Sequence, residues 1–96
     1  MSKFLVLFHD DWEPTPSIME AWQAWFVSVG DRFVDSGNPF SGGVEVTRGG
    51  SRELTAADGP ATGYAIVSAA SREDLEALLE GCPYRSNVRY YEAAAM

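Results

Sequence analysis

His9 is the only histidine of the chain, and two carboxylates, Asp10 and Asp11, follow it directly in the stretch FHDD. A histidine beside a carboxylate can act as a general base, contact a ligand, or simply end a strand in solvent. No metal site is expected, because one histidine and scattered acids lack the spacing of a ligand set. The choice among the other interpretations depends on which side chains the fold brings to His9.

The other reactive groups give weaker signals. Cys82 is the only cysteine and lies between Gly81 and Pro83 with no histidine nearby in the sequence, which favours packing over nucleophilic catalysis. The stretch Gly49–Gly50–Ser51 lacks the lysine and the spacing of a phosphate-binding loop. No cofactor is therefore predicted.

The composition is that of a folded, acidic protein. Of the 96 residues, 46% are hydrophobic and 12% aromatic, which excludes a disordered chain and suffices for one core. The net charge of -7 argues against nucleic acid or an anionic membrane surface as partner. The first apolar run is too short for a signal peptide or a membrane span, and a single cysteine suits a reducing compartment. We expect one cytoplasmic domain over residues 1–96.

Hydrophobic periodicity predicts two helices. The first begins at Thr15 as N-cap with Pro16 in the first turn, and its apolar stripe continues to Phe33 before Gly37–Asn38–Pro39 ends it. Ser71 begins a second, short helix. Apolar or alternating runs predict strands over Lys3–His9, Val44–Arg48, Thr62–Ala69 and Asn87–Ala93, with a polar connection over Gly49–Pro60.

The resulting β-α-β-β-α-β order predicts an α+β fold, the ferredoxin-like plait, in which both helices cover one face of an antiparallel sheet. The first strand is apolar on both sides, with Phe4, Val6 and Phe8 on one face and Leu5 and Leu7 on the other. Because two helices cover a single face, the other face requires a different partner. We therefore predict a homodimer through the sheet face.

Several short stretches resemble the YCII-related, DGPF-type family: KFLVLFH, the tryptophan-containing helix followed by GNP, ADGPATGYAIV, and EGCP before the last strand. The resemblance implies a small α+β protein whose sheets pair into a dimeric α+β barrel. In some relatives it also implies a His–Asp pair, with the histidine on the first helix, acting on small aromatic compounds. The corresponding helix here, PSIMEAWQAWFVSVGDRFV, contains no histidine, so that pair is not carried over.

In such a plait the strands beside the first one run antiparallel to it, so the Asp58–Gly59–Pro60 turn is expected near His9. A strand over Val44–Arg48 would run parallel to the first and bring Arg48 to the same end. The predicted ligand-binding residues are His9, Asp10, Arg48, Asp58, Trp22 and Tyr64, and His9 and Asp58 are the candidate catalytic residues. Trp22, Trp25 and Phe26 are predicted to be core, with a pocket wall as the alternative.

The leading hypothesis for function is a dimer that binds a small molecule in a cleft between sheet and helices. One alternative is a lyase or isomerase acting on a small aromatic or carbonyl compound, with His9 as general base. Another is a structural dimer without a ligand. We expect His9 to border the cleft and to contact the ligand without acting as a base.

Overall fold

The computed structural model describes residues 1–9, 15–83 and 87–94. These residues form two helices and six strands in antiparallel sheets, which confirms the predicted α+β class. The elements in chain order are β1 (Ser2–Phe8), α1 (Pro16–Val29), β2 (Phe33–Asp35), β3 (Val44–Thr47), β4 (Gly50–Glu53), β5 (Gly63–Ala69), α2 (Arg72–Leu79) and β6 (Val88–Glu92). Short 3-10 turns lie at Gly30–Arg32 and Ala56–Asp58.

The main sheet has four strands in the order β2-β5-β1-β6, and all neighbours are antiparallel. Alternate residues of β1 and β5 point toward the helices and are buried, as period-two alternation requires. The core contains Phe4, Val6 and Phe8 of β1, Ala65, Val67 and Ala69 of β5, Trp25 and Val29 of α1, Leu75 and Leu79 of α2, and Cys82. Both helices therefore share one face of the sheet.

The strand predicted at Val44–Arg48 does not join the main sheet, so this part of the prediction is wrong. Val44–Thr47 pairs with Gly50–Glu53 in a separate hairpin, and β2 takes the place beside β5. Arg48 lies in the turn of that hairpin instead of at the end of a sheet strand. Alternation in the sequence indicates a strand but not its partner, and here Gly49 and Gly50 allow the chain to turn back on itself immediately.

The first helix is shorter than predicted. Thr15 is its N-cap, with Oγ1 accepting a hydrogen bond from the Ile18 N–H over 3.3 Å, as expected. The helix ends at Val29 because Gly30 adopts φ 58, outside the helical region. Phe33 continues the apolar stripe in sequence but belongs to β2, so the predicted extension to Gly37 is wrong. An apolar residue that keeps the helical spacing beyond a glycine can equally begin a strand, because a strand at that point packs on the same core.

The face of the main sheet opposite the helices is called the open face. It comprises Lys3, Leu5 and Leu7 of β1, Tyr64, Ile66 and Ser68 of β5, and Arg89 and Tyr91 of β6. Leu5 stands between Ile66 and Tyr91 in register, so apolar side chains cross three strands. Phe40 stacks on Tyr64 at one corner, but Leu5 is 37% and Tyr91 57% exposed. The chain thus leaves an apolar surface in contact with water.

Candidate functional site

A cavity of about 250 Å³ lies between α1 and the end of the main sheet where β1 finishes and β5 starts. Helix α1 and the sheet form two of its sides, and the segment after β2 forms another. Its lining residues are Met19, Trp22, Gln23 and Phe26 of α1, Phe8, Thr62, Gly63 and Tyr64 of the sheet, and Ser36, Gly37, Asn38 and Pro39.

The segment after β2 is held against β5 by main-chain hydrogen bonds. The Phe40 N–H donates to the Thr62 carbonyl over 2.8 Å, and the Tyr64 N–H donates to the Asn38 carbonyl over 3.3 Å. Gly37 makes this close approach possible, because a Cβ atom at this position would stand 1.6 Å from the Tyr64 carbonyl oxygen. Its φ of 81 also lies in the left-handed region that favours glycine. A glycine is therefore required in this side of the cavity.

The aromatic rings of the cavity wall pack against one another. The Trp22 ring meets Phe8 edge to face, with centroids 5.2 Å apart, and Phe26 lies 6.0 Å from Trp22. Trp22 and Phe26 are half-buried and line the cavity, in line with the alternative of a pocket wall. Trp25 is only 2% exposed, which confirms its assignment to the core.

The polar groups of the lining are all uncharged. They are the amides of Gln23 and Asn38 and the hydroxyls of Ser36 and Thr62. The side chain of Tyr64, by contrast, belongs to the open face. The Tyr64 hydroxyl donates to Asp35 Oδ2 over 2.8 Å, and this carboxylate raises the pKa of Tyr64, so the phenol stays protonated at neutral pH. Asp35 Oδ1 in turn accepts from the Gly37 N–H over 2.8 Å. A neutral, largely apolar molecule with few hydrogen-bonding groups suits these walls.

His9 lies beside the turn that sequence topology placed near it. Its Nδ1 atom is 3.2 Å from the carbonyl oxygen of Gly59, and the Thr62 N–H donates to the Phe8 carbonyl over 2.6 Å. Its Nε2 atom is buried and has no hydrogen-bond partner among the described residues. His9 itself does not line the cavity, although its neighbour Phe8 and the facing Thr62 do. Asp10, the carboxylate predicted beside it, lies outside the described residues.

The Asp58 carboxylate closes its own turn and joins it to the hairpin. Its Oδ2 atom accepts from the Thr55 N–H over 2.7 Å and from Arg52 Nη1 over 3.1 Å. These donors, Arg52 first, lower the pKa of Asp58 to about 2. Arg52 also contacts Glu45 Oε2 over 2.9 Å. With such a low pKa the Asp58 carboxylate is a weak base, and its contacts point to a structural role.

The residues predicted for one site are thus distributed over three places. Trp22 and Tyr64 share the cavity, and His9 stands next to it at the Gly59 turn. Asp58 is engaged with Arg52, and Arg48 lies in the hairpin turn. Sequence reasoning missed the cavity residues Met19, Gln23, Ser36 and Gly63. The one signal in this region was the glycines themselves, Gly37 just beyond β2 and Gly63 at the start of β5.

Within residues 1–9, 15–83 and 87–94, no cluster of three or more His, Cys, Asp and Glu side chains is placed to bind a metal ion. No helix among them is both long and apolar enough to span a membrane.

Comparison with known proteins gives no relative: no protein-family model matches the chain, and neither a curated protein nor a solved structure is significantly similar to it.

Proposed function

We propose that this protein binds a small, neutral, largely apolar molecule in the cavity under α1. The observation that carries this proposal is the cavity itself, a volume of about 250 Å³ walled by aromatic side chains within a domain whose other helix-facing residues are closely packed. Concave sites lined mainly by apolar and aromatic side chains, with a few polar groups, are the usual binding sites for small molecules. Its size suits a molecule of about one ring.

The lining also limits the chemistry of the ligand. An ionised ligand would lose its hydration without meeting an opposite charge on the walls, which is costly. The amide of Gln23 and the hydroxyl of Thr62 can instead orient one carbonyl or hydroxyl group of a neutral ligand. Selectivity would then come from ring shape and from one or two hydrogen bonds.

The proposal includes a homodimer through the open face, with the ferredoxin-like plait and dimeric barrel of the YCII-related family. The strand order β2-β5-β1-β6 supports the plait, with the β3–β4 hairpin as an insertion before β5. The exposed apolar side chains of Leu5 and Tyr91 support the dimer, because a second copy of the chain that covers this face would remove them from water.

A fragment screen followed by NMR tests the ligand site. Neutral single-ring compounds should shift the amide signals of Gly37 and Gly63, which line the cavity. The signals of Gly49 and Gly50 in the hairpin should stay in place and serve as an internal control. Charged analogues of the same rings should bind at least about tenfold more weakly, since burial of an unpaired charge is unfavourable.

A pair of substitutions on α1 sharpens the test. Met19→Trp places a large side chain in the cavity and should abolish the fragment shifts. Val27→Trp is the control, because Val27 is 80% exposed on the same helix and does not line the cavity. The proposal is wrong if no neutral fragment moves the Gly37 and Gly63 signals, or if both variants bind like the wild type.

A second candidate function is a lyase or isomerase with His9 as general base. The observation that favours it is the buried Nε2 atom of His9, which lacks a hydrogen-bond partner within the described part of the chain. The residue itself adjoins Phe8, which lines the cavity. If Nδ1 donates to Gly59, Nε2 carries the lone pair that a base requires. Turnover of a bound fragment, lost in His9→Gln with binding retained, would establish this function. Binding without turnover would leave the binding protein as the conclusion.

A further inference from the structure

The β3–β4 hairpin, residues Val44–Glu53, is here called the arm. Every residue of the arm is exposed, and its two strands pair with each other. In this register Val44 lies opposite Glu53 and Val46 opposite Ser51, so both valines share one face. Val44 is 58% and Val46 77% exposed. Valines that are this exposed contribute little to the stability of the single chain.

The other face of the arm is turned toward its own chain. Glu45 and Arg52 lie opposite each other on that face and form an ion pair, and Arg52 also bonds Asp58 of the following turn. The valine face therefore points away from this anchor. A hydrogen bond from the Leu54 N–H to the Gly43 carbonyl closes the base of the hairpin.

The open face has the complementary chemistry. Leu5, Ile66 and Tyr91 form an apolar strip across three strands. Lys3 and Arg89 lie on the same face, and neither forms an ion pair with another described residue. The valine face of the arm carries the acid Glu53. The open face, apolar with basic groups, therefore complements the valine face of the arm, which is apolar with an acidic group.

We propose that the arm packs its valine face on the open face of a second copy of this chain. The inference rests on the homodimer proposed above and adds the surface that holds it together. Each strand of the arm is four residues long, about 13 Å, enough to cross three strands spaced about 4.8 Å apart. In a two-fold dimer each copy gives one arm and receives one, so the contact occurs twice.

Sedimentation equilibrium on the full chain tests the arm separately from the dimer. Val46→Lys places a cation against Lys3 and Arg89 of the second copy and removes an apolar contact. We expect its dimer dissociation constant to rise about a hundredfold, about tenfold for each of two arms. Val27→Lys is the matched control, with an equally exposed valine on α1, and should dimerise like the wild type.

Leu5→Lys separates the two proposals because it alters the open face itself. Both proposals are supported if the wild type is a dimer, Leu5→Lys is a monomer, and Val46→Lys dimerises with a raised dissociation constant. A dimer that is lost with Leu5→Lys but unchanged with Val46→Lys overturns the arm and leaves the sheet interface standing. A monomeric wild type at micromolar concentration overturns the dimer and the arm together.

Cross-linking locates the arm on the partner. Mixing a Val46→Cys chain with a Leu5→Cys chain under mild oxidation should give a covalent dimer with one chain of each kind, identified by mass. Cys82 is buried in the core and so is shielded from the reaction. A Val27→Cys chain replaces Val46→Cys as the control and should give little mixed product. Equal mixed product from both would overturn the proposed contact.

Discussion

The indole nitrogen of Trp25 donates a hydrogen bond to the carbonyl oxygen of Leu78 over 2.9 Å and thereby joins α1 to the last turn of α2. The same ring contacts Phe8 and Phe33 edge to face, with centroids 6.0 and 5.4 Å away. Trp25 therefore connects both helices with the sheet strands β1 and β2. No other described aromatic side chain has both a buried ring and a hydrogen bond between the helices.

Replacing Trp25 with alanine should lower the free energy of unfolding by about 3–5 kcal/mol, because the large buried ring leaves a cavity. Trp25→Phe should cost less, about 1 kcal/mol for the lost hydrogen bond plus the difference in size. Urea unfolding followed by circular dichroism measures both. Trp22→Ala is the comparison and should cost clearly less than Trp25→Ala, because Trp22 is half-buried. Equal losses for the two alanine variants would contradict the assignment of Trp25 to the core and Trp22 to the cavity.

Trp22→Leu should separate binding from stability. The substitution keeps an apolar side chain at the cavity but removes the ring that packs against Phe8, so affinity for single-ring fragments should fall about tenfold or more. The free energy of unfolding should fall by only about 1–2 kcal/mol, because Trp22 is half-buried. NMR titration gives the affinity and urea unfolding gives the stability. Unchanged affinity would show that Trp22 does not contact the ligand.

Gly37→Ala should be strongly destabilising, by at least about 2 kcal/mol. The new Cβ would stand 1.6 Å from the Tyr64 carbonyl oxygen, and φ 81 is unfavourable for alanine, so the segment would have to move away from β5. Gly42→Ala is the control, because a Cβ there meets no atom within 4 Å, and it should be neutral or slightly stabilising. Thermal unfolding of the two variants is sufficient. Similar melting temperatures for both would contradict the close approach of Gly37 to Tyr64.

The lowered pKa of Asp58 predicts that the fold loses stability in acid. Its pKa of about 2 lies below the ordinary 3.8, because Arg52 and the Thr55 N–H stabilise the carboxylate. A carboxyl group whose pKa is lower in the folded than in the unfolded protein stabilises the fold at pH values above its unfolded pKa. This contribution is lost as the pH falls toward its pKa in the folded protein. Asp58→Asn should therefore lower the melting temperature at neutral pH, and its difference from the wild type should shrink between about pH 4 and pH 2.

The Arg52→Gln background provides the control for this pH dependence. With the guanidinium removed, Asp58→Asn should cost less than in the wild type, because the largest cause of the low pKa is gone. Melting curves recorded across the acid range give both comparisons. A cost of Asp58→Asn that is independent of pH, or unaffected by Arg52→Gln, would show that the pair does not stabilise the turn.

The sequence by itself determined the local elements. An apolar run specified β1, and small residues alternating with Tyr64 and Ile66 specified β5. The capping residues Thr15 and Ser71 placed the starts of both helices, because these signals depend on neighbouring residues alone. It also determined the α+β class and the surplus of apolar residues on β1. The meeting of His9 with the turn at Gly59 followed from antiparallel pairing, which simple strand order can predict.

Only the tertiary structure decided which strands are partners and where the cavity lies. The pattern of Val44–Thr47 suits a sheet strand and a free hairpin equally. Whether Phe33 continues α1 or begins β2 depended on the positive φ of Gly30, which ends the helix. The cavity lies between α1, the segment after β2 and the start of β5, and its position depends on residues far apart in the chain. Long-range contacts of this kind depend on how complete surfaces fit together, and no local sequence signal records that fit.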